Sequence, residues 1–227
     1  MPVLPDRVNP TSEAYQANRA ALQAQVDAHD EQLRLVNLGG GEKYIARHRQ
    51  RGKLLVRERI EALLDPGSPF LELSPLAAWG SQFPVGAGTV AGIGVVEGVE
   101  CMITGSDPTM RGGASNPYSL KKNLRTNEII AENRLPTIAL TESGGADLPT
   151  QSEIFIPGGR GFRDITNASA AGIPQVSLVF GNSTAGGAYV PGMSDYVVMI
   201  KERSKVFLGG PPLVKMATGE DSDCLLY

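Results

Sequence analysis

The sequence predicts an α/β fold built on a largely parallel sheet, and three observations point there. Short β-rich runs alternate with helix-compatible stretches along most of the 227 residues. Two of these runs, Pro136–Thr141 (PTIALT) and Pro174–Phe180 (PQVSLVF), are apolar enough to read as buried strands. Each feeds a glycine-rich loop, Ser143-Gly144-Gly145-Ala146 and Ala185-Gly186-Gly187-Ala188, before the next helix-compatible stretch.

From the N-terminus, the stretch from Thr11 to Val36 carries apolar residues at helical spacing (Leu22, Val26, Leu33, Val36) with Ser12 available as an N-cap. Residues 1–37 are therefore expected to form a helical arm. After Gly39-Gly40-Gly41, the segment from Lys43 to Leu64 reads as two short basic helices around Gly52, ending at the turn Asp65-Pro66-Gly67. Its cations Arg47, Arg49, Arg51, Lys53, Arg57 and Arg59 are expected on a solvated face, pairing with Glu58 and Glu61, with one or two kept for an anionic ligand. Thr89–Glu97 and Val99–Gly105 read as a hairpin turning at Gly98. Beyond it the expected order is helix Pro117–Asn133, strand PTIALT, helix Phe162–Ala171 and strand PQVSLVF. A helix over 185–194 kinked by Pro191 follows, then strand Tyr196–Ile200, a short strand near Val206 and a last helix Pro211–Ala217.

Composition narrows the setting. With 41% apolar and 20% charged residues, the chain has enough core for one domain or somewhat more. A net charge of −3 provides no basic field for nucleic acid. The two cysteines, Cys101 and Cys224, form no disulfide framework or metal-ligand spacing, which fits a reducing cytoplasm. No run approaches a membrane span, and the N-terminus lacks the apolar segment of a secretory signal. The 27 glycines and 16 prolines are scattered among apolar runs and read as turns.

Two loops at strand-to-helix turns can aim backbone N–H groups at one carbonyl oxygen and hold it as negative charge develops, the logic of an oxyanion hole. Several other chemistries fail on context. Gly86-Ala87-Gly88 precedes its strand and so reads as a turn, not a dinucleotide fingerprint. Ser183 sits where a hydrolase nucleophile would, but His29 and His48 both lie far upstream, so Ser183 reads as a loop-stabilising hydroxyl. No His, Cys or carboxylate spacing suggests a metal. Proton abstraction beside the loops would need a carboxylate, for which Asp147 and Glu153 are the candidates, each equally suited to a capping role.

Five collinear stretches carry a family resemblance: GGGEKYIARHRQRGKLLVRERIEALLDPGSPFLELS, GAGTVAGIGVVEGVECMI, LTESGGADLP, GIPQVSLVFGNSTAGGAYVPGMSD and FLGGPPLVKMATGE. From about Leu38 to Glu220 the chain resembles the β subunit, or carboxyltransferase, of biotin-dependent acyl-CoA carboxylases. AGGAYVPGMSD and FLGGPPLVK are most similar to the 3-methylcrotonyl-CoA carboxylase branch, which includes geranyl-CoA enzymes.

The resemblance implies a crotonase-like (ClpP/crotonase) fold of ββα units in a superhelix, with N-terminal helices, and acyl-CoA lying across it. It implies biotin carried on a partner subunit as the cofactor, so that the missing base is supplied by that group rather than by this chain. Partners implied are a biotinylated α subunit (biotin carboxylase/carrier) and further β subunits in a homo-oligomer. By analogy Gly145, Ala146, Gly186 and Gly187 would donate backbone N–H bonds to thioester or biotin oxygens, each donor worth about 3 kcal/mol in the transition state. Arg47, Lys53, Lys121, Lys122 and Ala188 are the expected acyl-CoA contacts.

Family members are longer, with a second crotonase-like half, and Cys224-Leu225-Leu226-Tyr227 resembles nothing that should follow. The expectation is an N-terminal half, with residues 38–223 the crotonase-like domain and 224–227 a tail foreign to the family, incomplete as a catalyst alone. The alternatives are a non-catalytic CoA-binding or assembly module, and a stand-alone enoyl-CoA hydratase or isomerase using Asp147 or Glu153 as base.

Overall fold

The computed structural model describes residues 8–221, so Cys224 and the expected tail lie outside the described residues. The helices are α1 (Glu13–Asn37), α2 (Glu42–Gln50), α3 (Val56–Leu63), α4 (Pro117–Asn133), α5 (Gln151–Ala170), α6 (Tyr189–Met193) and α7 (Pro211–Thr218). The strands are β1 (Phe70–Glu72), β2 (Thr89–Val96), β3 (Val99–Ser106), β4 (Thr137–Ser143), β5 (Gln175–Thr184), β6 (Tyr196–Met199) and β7 (Lys205–Phe207). They form one sheet in the order β1-β2-β3-β4-β5-β6, with β7 also pairing β5. β2 pairs antiparallel with β1 on one side and β3 on the other, and every pairing from β3 onward is parallel. The parallel part is the one that carries both glycine loops.

Local chemistry explains the first elements. Ser12 caps α1 through Tyr15 N at 3.3 Å, yet Leu22 and Val26 stand exposed and only Val36 of this helix is buried. The helix is therefore an arm held at its C-terminal end. Glu97 and Gly98, with φ of 50° and 75°, give the tight turn that a right-twisted β2–β3 hairpin needs. The Asp65 carboxylate secures that turn by accepting from the N–H groups of Glu97 (2.7 Å) and Gly98 (2.8 Å).

Alternation along β3 places residues on opposite faces of the sheet. Cys101 and Ile103 pack with Val56 and Ile60 of α3 and with Ile138 and Leu140 of β4. Met102 packs on the other face with Ile130 of α4, Leu135 and Ile173. Burial pushes the Cys101 thiol pKa up, so it stays protonated within the core.

Four expectations are corrected. α5 begins at Gln151, eleven residues before the expected start, although Pro157, Gly158, Gly159 and Gly161 read as breakers. Packing against α4 outweighs propensity there: Ile154 is buried, Gly158 faces Leu120, and Arg160 pairs with Glu128 at 2.8 Å. β1, absent from the expectation, is three residues long and is held by its antiparallel pairing with β2. β5 runs on to Thr184 because β7 pairs with Asn182–Thr184. The expected helix over 185–194 is a 3-10 turn (Ala185–Ala188) followed by the five residues of α6.

Candidate functional site

The two glycine loops leave the C-terminal ends of β4 and β5, adjacent parallel strands, and so emerge side by side at the edge where α/β sheets receive ligands. A Cβ on Gly145 would lie 3.5 Å from the Thr184 carbonyl oxygen and 3.6 Å from the Ala185 Cβ, so the loops touch. Gly145 has φ of +91° and Ala185 has φ of +52°, left-handed backbone that turns each chain sharply off its strand. Ser183, fully buried, donates from Oγ to the Gly187 carbonyl at 2.8 Å and ties the second loop to β5, the stabilising role read from its sequence context.

The four expected donors are not equivalent. The Gly145 N–H is spent on Ser143 Oγ at 3.1 Å. Ser115 bridges the first loop by donating to the Gly145 carbonyl (2.7 Å) and accepting from the Asp147 N–H (2.8 Å), which leaves the Ala146 N–H between them without an acceptor among the described residues. In the second loop the i→i+3 pattern of a 3-10 turn capped by Thr184 engages Gly187 first, so among the described residues the donor of the pair left over is Gly186. Gly187 is a packing glycine: a Cβ there would lie 3.0 Å from Ser143 Oγ. Ala188 is buried at the base of the turn.

A cleft of about 240 Å3 adjoins the first loop, lined by Tyr44, Arg47 and His48 of α2, by Arg51 just after it, and by Thr109, Arg111 and Gly112. Its wall reaches the loop, since a Cβ on Gly144 would lie 3.2 Å from the Gly112 carbonyl oxygen. Three arginines, Arg47, Arg51 and Arg111, stand around one concavity and concentrate positive charge there. Arg47 is thus placed where a ligand can reach it. Arg111 and Arg51 join it there; Arg111 lies 64 residues beyond Arg47 in sequence, so nothing in the local pattern marked it as part of the set.

Other predicted cations are turned inward. Lys53 and Arg59 both pair with Glu142, Arg59 Nη2 to Oε2 at 2.8 Å, and the Arg59 guanidinium lies 4.3 Å from the centre of the Phe180 ring. Arg57 pairs with Glu72 at 2.6 Å. The expectation of a solvated basic face therefore fails for these three, because each finds a carboxylate brought in from another part of the sheet. Arg49 does pair with Glu58, at 2.7 Å across α2 and α3. Lys122 is buried and donates to the Thr89 carbonyl at 2.7 Å, so it is closed to a phosphate. Lys121 is exposed above the Tyr118 ring and is not among the residues lining the cleft.

Glu142, missed by sequence reasoning, is the residue just before Ser143 and fixes the root of the first loop. Only glycine fits opposite it: a Cβ on Gly181 would lie 2.6 Å from Glu142 Oε1. His48 Nε2 lies 3.2 Å from Arg59 Nη2 and 3.1 Å from the Leu54 carbonyl oxygen. Burial holds the His48 pKa below its ordinary value, so the ring is neutral at pH 7. Asp147, one of the two candidate bases, is engaged by Arg111 Nη1 (3.3 Å) and Thr150 Oγ1 (2.8 Å), while Glu153 is exposed in the first turn of α5. No cluster of three metal-ligating side chains occurs among the described residues, and no described helix is long and apolar enough to cross a membrane.

Comparison with known proteins agrees with this layout. Residues 47–224 match the carboxyl transferase domain. The chain belongs to this family. It is 65% identical over 221 residues to the probable biotin-dependent acyl-coenzyme A carboxylase beta2 subunit of Mycobacterium tuberculosis, covering 97% of this chain and 42% of that protein. It is 47% identical over 224 residues to the mitochondrial methylcrotonoyl-CoA carboxylase beta chain of Dictyostelium discoideum, covering 96% of this chain and 38% of that one. The crystal structure of the P. aeruginosa geranyl-CoA carboxylase beta subunit superposes with a TM-score of 0.89 at 44% identity, over 98% of this chain and 41% of that subunit. The expected crotonase-like fold is therefore the fold observed. The chain spans about two fifths of the length of these relatives.

Proposed function

We propose that this chain is the acyl-CoA-binding part of the carboxyltransferase (β) component of a biotin-dependent acyl-CoA carboxylase. The observation that carries the reading is the contact between the two glycine loops at the C-terminal ends of β4 and β5, with a three-arginine cleft beside them. The cleft takes the phosphates of coenzyme A, and the ledge formed by the Ala146 and Gly186 N–H groups takes the thioester oxygen as it gains enolate charge. Gly145 and Gly187 serve that ledge by letting the two loops and Ser143 pack closely.

Carboxybiotin, held on a partner, would supply the carboxyl group and the proton acceptor. The donor set fits such chemistry: backbone N–H groups that stabilise an enolate, and candidate carboxylates that are either paired (Asp147) or on an exposed helix turn (Glu153). This chain's own contribution is position and electrostatics. The proposed substrates are branched acyl-CoAs of the 3-methylcrotonyl or geranyl type, by likeness to relatives that carry those names. The proposed setting is the cytoplasm, where the buried Cys101 thiol stays reduced.

A biotinylated α subunit and further β subunits are the proposed partners. All five residues from Tyr196 to Ile200 are exposed although they are large and apolar, as are Phe155, Ile156, Leu213 and Met216. So large an apolar display marks an interaction surface. It favours, as a second reading, an assembly module that pairs with other β-subunit polypeptides.

Titration calorimetry of the full chain with 3-methylcrotonyl-CoA and geranyl-CoA tests the main reading. Saturable binding supports it, and no saturable binding of any acyl-CoA overturns it. Size-exclusion chromatography with an intact β subunit tests the second, which fails if the two do not co-elute.

A further inference from the structure

Arg111 belongs to two structures at once. Its residue lines the basic cleft with Arg47, His48 and Arg51, while its Nη1 pairs with Asp147 Oδ1, the residue immediately after Ala146. The pair is long, at 3.3 Å, and its arginine is half exposed, so it is weak and exchangeable. The backbone around Arg111 is the opposite. Arg111, Gly112 and Gly113 all have positive φ (48°, 67° and 73°), a conformation that a non-glycine residue at position 111 holds only under constraint. That constraint comes from the end of β4 and the loop that follows it, since a Cβ on Gly113 would lie 2.4 Å from the Glu142 carbonyl oxygen and one on Gly144 would lie 3.2 Å from that of Gly112. A constrained segment thus carries a half-exposed guanidinium, 5.4 Å from the centre of the Phe83 ring, between the basic cleft and a loop that bears a free N–H.

We propose that Arg111 is a positioning residue shared between the phosphorylated end of the ligand and Asp147, so that filling the cleft and setting the Ala146 N–H are linked. A phosphate in the cleft competes with Asp147 for the guanidinium. Asp147 keeps its tie to Thr150, through Oγ1 to Oδ2 at 2.8 Å, and to Ser115 through its own N–H. Losing Arg111 therefore resets the Asp147 side chain without unfolding the loop. The proposal rests on the acyl-CoA reading for the identity of the ligand, but the competition itself concerns any polyphosphate.

The test is calorimetric titration of the full chain with free CoA, 3-methylcrotonyl-CoA and inorganic pyrophosphate, on Arg111→Ala, Arg111→Lys, Asp147→Asn and the Arg111→Ala/Asp147→Asn double variant. Arg111→Ala is expected to weaken free CoA about tenfold, and Arg111→Lys to restore most of that loss. Asp147→Asn is expected to tighten free CoA up to about fivefold, because the exposed pair no longer holds the guanidinium back. It should also reduce the preference for 3-methylcrotonyl-CoA over free CoA, which simple misfolding would not do. In the Arg111→Ala background the gain from Asp147→Asn should vanish. A gain that persists there means direct repulsion between Asp147 and the anion, and it overturns the proposal, as does unchanged CoA affinity in Asp147→Asn. If the wild-type chain binds pyrophosphate but no form of CoA, the acyl-CoA reading fails and the competition is decided on pyrophosphate. Binding of neither overturns both.

Discussion

Replacing Lys122 by methionine removes a charged amine from the interior and is expected to stabilise the protein at neutral pH. Lys122 is 5% exposed beneath β2, and burial pushes its pKa down from 10.5 to about 8, with nearby Glu72 opposing the shift and Arg57 adding to it. At about 1.4 kcal/mol per unit, keeping this amine protonated costs the fold roughly 3 kcal/mol at pH 7. Methionine forfeits the hydrogen bond to the Thr89 carbonyl, worth roughly 1–2 kcal/mol, so the net gain at pH 7 is about 1–2 kcal/mol. The sign of the pH dependence follows from the depressed value. Between pH 8 and 10.5 the unfolded chain holds a proton that the folded chain has lost, so wild-type stability rises through this window and is flat, on this account, below it. The methionine variant has no such rise. Its advantage over wild type should shrink by roughly 2–3 kcal/mol between pH 7 and pH 10, as measured by urea unfolding followed by circular dichroism at unit pH steps. A stability difference that stays constant across that range would refute the reasoning.

Further outcomes follow from packing and charge around the site. Gly181→Ala places a methyl 2.6 Å from Glu142 Oε1 and 2.9 Å from Lys53 Nζ, and should cost about 1–3 kcal/mol; an unchanged urea midpoint would contradict that contact. Glu142→Gln leaves Lys53 and Arg59 without their shared counter-charge and should cost about 3–5 kcal/mol by calorimetric unfolding. Lys53→Met, which keeps the Arg59–Glu142 pair, should cost clearly less than Glu142→Gln, and equal losses would show that Arg59 does not hold the carboxylate. Asn116→Ala removes the cap that accepts from Tyr118 and Ser119 N–H and the bond from Nδ2 to the Ala87 carbonyl, for a loss near 2 kcal/mol in the same assay.

Where signals are local, the sequence is a good guide. The turn at Gly98 and the start of α4 at Pro117 are set by neighbouring residues and form as expected, and the structure adds the Asn116 cap. The adjacency of the glycine loops is legible for a related reason, since two buried strands with like connections become parallel neighbours whose C-terminal ends coincide. What was hidden depends on distant partners. Nothing near Arg59 reveals a carboxylate 83 positions away, so a buried ion network reads as a basic helix face. The first half of α5 was masked by Pro157 and its glycines, which packing against α4 tolerates. Which loop amides are free was also illegible, because the Gly145 N–H turns back to the Ser143 hydroxyl while Ala146 beside it stays open.

The central claim is that the two loops and the cleft form one acyl-CoA site. Amide hydrogen exchange of the full chain, followed by mass spectrometry with and without 3-methylcrotonyl-CoA, tests it most directly. Protection should appear together in peptides covering 143–147, 185–188, 44–51 and 109–113, with residues 13–34 of the α1 arm unchanged. Protection confined to one loop, or spread evenly over the chain, would contradict it.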